Sequence, residues 1–95
     1  MNKSEMAARV AGRTGLGRPA AAEAVDAVFE VIAEALAGGE EVRVVGFGVF
    51  GVKTRPSRRW RSPGTGAWMQ IGPSTVPTFR AGKPLRDWVR HGPRP

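Results

Sequence analysis

The sequence predicts an α+β chain: a helical N-terminal part, then short antiparallel strands extended into a two-stranded ribbon, then one last helix. Three observations predict it. Apolar residues recur at helical spacing through two stretches before Gly38-Gly39. From Glu41 the pattern changes to β-branched and aromatic residues broken by glycine: Val42, Val44, Val45, then Gly46-Phe47-Gly48-Val49-Phe50-Gly51-Val52. Glycine and proline then recur at turn positions, not as an unpatterned run.

With 95 residues the chain is one small domain over 1–95. Such a chain buries only about 60 to 65% of the surface its unfolded form exposes, so it needs staples or a partner. There are no cysteines, which excludes disulfides, thiolate zinc sites and a cysteine nucleophile. The opening MNKSEMAARV lacks an apolar core segment, and Ala20 to Ala37 carries an acid every three or four residues. Neither reads as a signal peptide or a membrane span.

Asn2 offers an N-cap with Glu5 three residues on, and Met6 and Val10 fall at i, i+4 before Thr14-Gly15. The first helix is expected over 3–13. Pro19 suits a first helical turn and Gly38-Gly39 a left-handed cap, so the second helix runs from about Pro19 to Ala37. On it Glu23, Asp26, Glu30 and Glu34 form one narrow stripe. Ala21, Val25, Val28, Phe29, Val31, Ile32, Ala35 and Leu36 span roughly 180°, wider than the ~100° that one packing surface needs. The surplus points to a second copy of the chain, with Val25, Val28, Phe29, Ile32 and Leu36 in the interface. The alternative is a helix well covered within a monomer. On this division 1–39 is the helical dimerisation part, 40–81 the sheet with an arm at 55–72, 82–91 the last helix and 92–95 a frayed tail.

Two strands are expected to meet at a tight turn near Gly46. Residues 55–72, RPSRRWRSPGTGAWMQIG, hold too few apolar residues for a core but flank the turn Pro63-Gly64-Thr65-Gly66 on both sides, the pattern of a protruding ribbon. Thr75 to Arg80 reads as a strand, and Pro84 to Arg90 as a helix with Leu85, Trp88 and Val89 at i, i+3, i+4 and Trp88 on its inner face. Phe47, Phe50, Phe79 and Trp88 are expected in the core. His91, the one histidine, reads as solvated.

Charge separates the halves. Residues 1–42 carry four basic and seven acidic side chains, net −3; residues 43–95 carry eleven basic ones and only Asp87, net +10. So steep a separation argues that the second half faces a polyanion. An enzyme is disfavoured, because there is no Cys or Tyr, a single His, no paired carboxylates outside the helix stripe and no phosphate-cradling loop. The glycines at 46–51 lack the following helix and Lys-Ser/Thr of such a loop.

Four stretches stand out in this order of elements: Met1-Asn2-Lys3-Ser4, Val45-Gly46-Phe47-Gly48-Val49-Phe50, Arg55-x-x-Arg58-x-x-Arg61-x-Pro63-x-Thr65-Gly66 and Phe79-x-x-Gly82-Lys83-x-Leu85. Together they strongly resemble the HU/IHF family of bacterial histone-like DNA-binding proteins. The likeness covers residue 1 to about 90 without a gap. It implies an intertwined homodimer, or a pair with a paralogous subunit, with Phe47, Phe50 and Phe79 also in the interface. Two arms would curl along the minor groove of double-stranded DNA in the cytoplasmic nucleoid, condensing or bending it with weak sequence preference. Pro63 matches the position of a wedge that kinks the duplex. Arg55, Arg58 and Arg61, with Arg59 as an addition, match groove and phosphate contacts along the arm. Lys53, Ser62, Thr65 and Gly66 complete the arm's expected DNA contacts. Lys3, Arg80, Lys83, Arg86 and Arg90 would line the flank of the body. No cofactor, metal, membrane or small-molecule substrate is expected. A site-selective bender and an RNA-binding protein are the other readings.

Ser62 stands where the family usually has Asn, and Trp60, Trp68 and Met69 are bulkier than the usual arm residues. If the turn spans 63–66, Trp68 lies across from Arg61 and Trp60 from Met69. Cation-π and sulfur-aromatic contacts would then stiffen the ribbon. Direct contact of a Trp with sugars or bases is the competing reading.

Overall fold

A computed structural model of the chain describes residues 1–92; the expected tail residues Pro93, Arg94 and Pro95 lie outside them. Two compact units divide at Gly38/Gly39.

The first unit is a helical hairpin of α1 (Lys3–Thr14) and α2 (Arg18–Ala37). Asn2 caps α1 by accepting the Glu5 amide on Oδ1 at 2.8 Å, the N-cap bond expected of its spacing. Pro19 occupies the first turn of α2, where its missing N–H costs nothing. At the far end Gly38 donates to the Glu34 and Ala35 carbonyls with φ −87, and the left-handed geometry falls one residue later, at Gly39. Small side chains let the helices approach: Ala7, Ala21 and Val25 are the buried apolar residues of the described chain. Val28, Phe29 and Val31 of α2 are 56%, 44% and 62% exposed, so one side of the broad apolar arc is uncovered in a single copy.

The second unit holds β1 (Val42–Val44), β2 (Gly48–Arg55), β3 (Arg58–Arg61), β4 (Trp68–Ile71), β5 (Ser74–Ala81) and α3 (Lys83–His91). One antiparallel sheet has the order β1-β2-β5, and β3 and β4 form a second, two-stranded one. The β1–β2 turn closes with the Phe47 amide on the Val44 carbonyl at 3.0 Å, and Gly46 takes φ 82, which a side chain at that position would resist. β1 reaches only Gly48 to Phe50 of its neighbour; from Gly51↔Thr78 to Arg55↔Ser74 the pair β2–β5 continues alone. The two-stranded stretch thus begins ahead of residue 55. Pro56 lies between β2 and β3 and Pro73 between β4 and β5, outside the ladders, where their missing N–H groups are not needed. Pro77 is accommodated because β5 is an edge strand.

Phe79 pairs directly with Phe50, their ring centroids 4.7 Å apart, and lies 5.4 Å from Phe47. The Gly82 amide donates to the Phe47 carbonyl at 2.8 Å, tying the start of α3 to the β1–β2 turn. The expectation that Phe47, Phe79 and Trp88 are core residues needs correction: each is 44% exposed. A three-stranded sheet and a nine-residue helix have too little surface to enclose them. Val89, i+4 from Leu85, is 76% exposed.

Candidate nucleic-acid interface

The ribbon gathers most of the expected contact residues on a backbone free of acids. Lys53 and Arg55 lie on β2 and Arg58, Arg59 and Arg61 on β3; all five are exposed, and no Asp or Glu occurs between Arg43 and Asp87. Lys53, Arg55 and Arg58 line one concavity of about 460 Å³ at the junction of the two ladders, together with Ile71 and Ser74. Three cations around an open hollow attract anions through ordinary Coulomb forces, and each guanidinium presents a planar fork that matches a phosphate.

At the tip, the Ser62 amide donates to Ala67 O at 2.9 Å and the Gly66 amide to Ser62 O at 2.8 Å. The Thr65 hydroxyl accepts from the Ala67 amide at 3.3 Å. Gly66 takes φ 71. Pro63 is exposed at the end of this turn, whereas Ser62 is half-buried.

The register Arg61↔Trp68 and Trp60↔Met69 is the one expected from a turn at 63–66. Alternation along the strands then gives the ribbon two unlike faces. Arg59, Arg61, Trp68 and Gln70 share one; Arg58, Trp60, Met69 and Ile71 share the other. On the first, the Arg59 and Arg61 guanidinium carbons stand 4.8 and 5.8 Å from the Trp68 ring centroid. Arg61 Nε also donates to Gly66 O at 3.2 Å. The diagonal Arg59–Trp68 contact was not anticipated. Counting alternation from the turn would have placed both arginines on the Trp68 face.

The flank residues differ in their freedom. Arg80 on β5 pairs across from Val49 and is exposed. On α3, Lys83 Nζ binds Asp87 Oδ2 at 2.6 Å, Arg86 Nη1 donates to Ala81 O at 3.0 Å, and Arg90 is exposed in the last turn. Lys3 belongs to the other unit, where its Nζ lies 2.8 Å from Asp26 Oδ1. The Asp26 hydrogen bond and charge, with a smaller attraction from Glu30, raise the Lys3 pKa above the ordinary lysine value. Asp26 is therefore not merely a solvated member of an acidic stripe.

Of the expected interface residues, Val25 is buried, Ile32, Leu36 and Phe50 half-buried, and Val28, Phe29, Phe47 and Phe79 exposed. Among the described residues no group of His, Cys, Asp and Glu has the arrangement of a metal site, and no helix is long and apolar enough to cross a membrane.

The chain's relatives bear on this arrangement. The family model described as "Bacterial DNA-binding protein" matches residues 1–90. The DNA-binding protein HU of Geobacillus stearothermophilus is 48% identical over 90 residues, 95% of this chain and 100% of the relative. That of Streptococcus pyogenes is 48% identical over 89 residues, 94% and 98% of the two chains. Among solved structures, an Anabaena HU–DNA cocrystal structure superposes with a TM-score of 0.86 at 38% identity, covering 94% of this chain and 97% of the other. HU from Thermotoga maritima gives 0.68 at 35% identity, covering 94% and 98%. Matching in sequence almost from end to end, and in overall backbone fold, the chain belongs to the HU family of bacterial DNA-binding proteins.

Proposed function

We propose that this protein is a non-enzymatic, nucleoid-associated architectural protein that binds double-stranded DNA and bends it. The observation that carries the reading is the acid-free cationic ribbon, Lys53, Arg55, Arg58, Arg59 and Arg61, ending in the exposed Pro63 turn. The Anabaena relative was crystallised with DNA, which supports the same ligand here.

In this reading two copies associate through the uncovered apolar faces, Val28 and Phe29 of α2 and the Phe47–Phe79 pair, to complete a core that one chain lacks. Each copy lays one ribbon in the minor groove. Pro63 enters a base step because it is apolar, rigid and brings no N–H to leave unpaired. Unstacking costs roughly a few kcal/mol per step, offset by phosphate contacts that the bend brings to the flank formed by Arg80, Lys83, Arg86 and Arg90, with Lys3. Sequence preference is weak, since the grip is on phosphates and groove shape.

The test is a titration of the protein with duplex DNA at increasing salt, read from tryptophan fluorescence. Binding should weaken with a log-log slope of about −0.9 per phosphate neutralised, so that raising salt from about 50 to about 200 mM costs orders of magnitude in affinity. Duplex RNA and single strands of equal length should bind less well. Constant affinity across the salt range, or a preference for RNA, overturns the reading.

A further inference from the structure

The two faces of the ribbon tip differ in a way that a generic cationic arm does not require. Arg59 and Arg61 project from the same face two residues apart, where like charges repel and long side chains are free to wander. Both approach the Trp68 ring. Arg61 is its cross-strand neighbour, but Arg59 faces Gln70 across the ladder and still comes closer to the indole, 4.8 Å against 5.8 Å. One aromatic ring thus gathers two guanidiniums, and the Gly66 carbonyl also accepts a hydrogen bond from Arg61 Nε. Trp60, opposite Met69 on the reverse face, takes no part.

We infer that Trp68 is a positioning residue for the arm's grip on polyphosphate: its indole pre-sets the Arg59 and Arg61 guanidiniums side by side on one face of the ribbon before DNA arrives. The inference rests on the DNA-binding reading above. A guanidinium carries five N–H donors, so attraction to a ring leaves donors that can turn to a phosphate. Ordering these side chains in advance lowers the entropy lost on binding, and the π face offsets part of their mutual repulsion. A lysine at either position would keep the charge but lose the planar stack.

The clamp is tested first without DNA. In the free protein, side-chain protons of Arg59 and Arg61 should show upfield ring-current shifts by NMR that vanish in Trp68→Leu. Duplex binding then tests its role. Trp68→Leu should weaken binding about five- to tenfold, Trp68→Phe should recover most of the loss, and Trp60→Leu should change little. In a double-mutant cycle, Trp68→Leu and Arg59→Lys should be strongly non-additive. Far-ultraviolet circular dichroism establishes that each variant is folded. Absent ring-current shifts, or Trp68→Leu and Trp68→Phe binding alike with an additive cycle, overturn the inference while wild-type DNA binding stands. Absence of duplex binding by the wild type overturns the functional reading and the clamp's role together.

Discussion

Replacing Gly48 with alanine tests whether the close approach of β2 and β5 sets the stability of the second unit. Gly48 pairs with Ala81 at the start of β2, and a Cβ built there lies 2.6 Å from the Arg80 carbonyl oxygen and 2.6 Å from Cζ of Phe79. Ordinary contact starts near 3.4 Å, so the methyl group is about 0.8 Å too close to a backbone atom and to a ring already packed on Phe47 and Phe50. Neither yields cheaply. Overpacking of this kind costs about 1 to 3 kcal/mol, against a gain of roughly 0.4 to 1 kcal/mol from the stiffer unfolded chain. At the midpoints of these ranges the net loss is about 1.3 kcal/mol, equivalent to roughly 5 to 10 °C in the melting temperature of a chain this size. Gly51→Ala is the control, because its Cβ would meet only the Thr78 hydroxyl at 3.5 Å. Thermal melts of both variants at one fixed protein concentration, followed by circular dichroism, make the comparison. If Gly48→Ala melts with Gly51→Ala and the wild type, the tight strand crossing is not what holds this sheet.

Three further outcomes are expected. Pro63→Ala should leave helix content unchanged but reduce the bend that energy transfer between labelled duplex ends reports, by about 20° or more; an unchanged bend removes the wedge. Phe29→Asp places a charge on the partly covered apolar face of α2, where a lone chain can still hydrate it, but it costs about 3 kcal/mol or more if a second copy covers it. Sedimentation should therefore show loss of the two-copy species, and retention of that species refutes the interface. Asp26→Asn should bring the Lys3 pKa down towards the ordinary lysine value, visible in its Cε chemical shift. Because the folded-state pKa is raised, the pair's contribution is fully present below the ordinary lysine value and disappears as pH rises through the folded one. The wild type and Asp26→Asn should thus converge in strongly alkaline solution.

Local rules made much of this fold legible in advance. The Asn2 cap, the Pro19 start of α2, the turn at Gly46 and the Arg61↔Trp68 register each depend on residues close in sequence and on backbone chemistry that a few side chains dictate. The cationic ribbon was equally visible, since the separation of charge between the halves and the proline-glycine punctuation around residue 63 need no tertiary information.

Burial was not legible in the same way. Phe47, Phe79 and Trp88 have the composition of core residues yet stand 44% exposed in one chain, because hydrophobicity says that a side chain seeks cover and not which surface supplies it. The pairing of Lys3 with Asp26 likewise depends on how α1 docks on α2, and although alternation puts Arg59 on the Trp68 face, its diagonal reach to the ring depends on side-chain conformation. The elements, their order and the sign of the arm follow from local periodicity and summed charge alone. Which cations are held by a carboxylate, which by an aromatic ring and which stand free is set by the folded arrangement. Those outcomes depend on distances of a few ångströms between residues that strand register, or the docking of one helix on another, brings together.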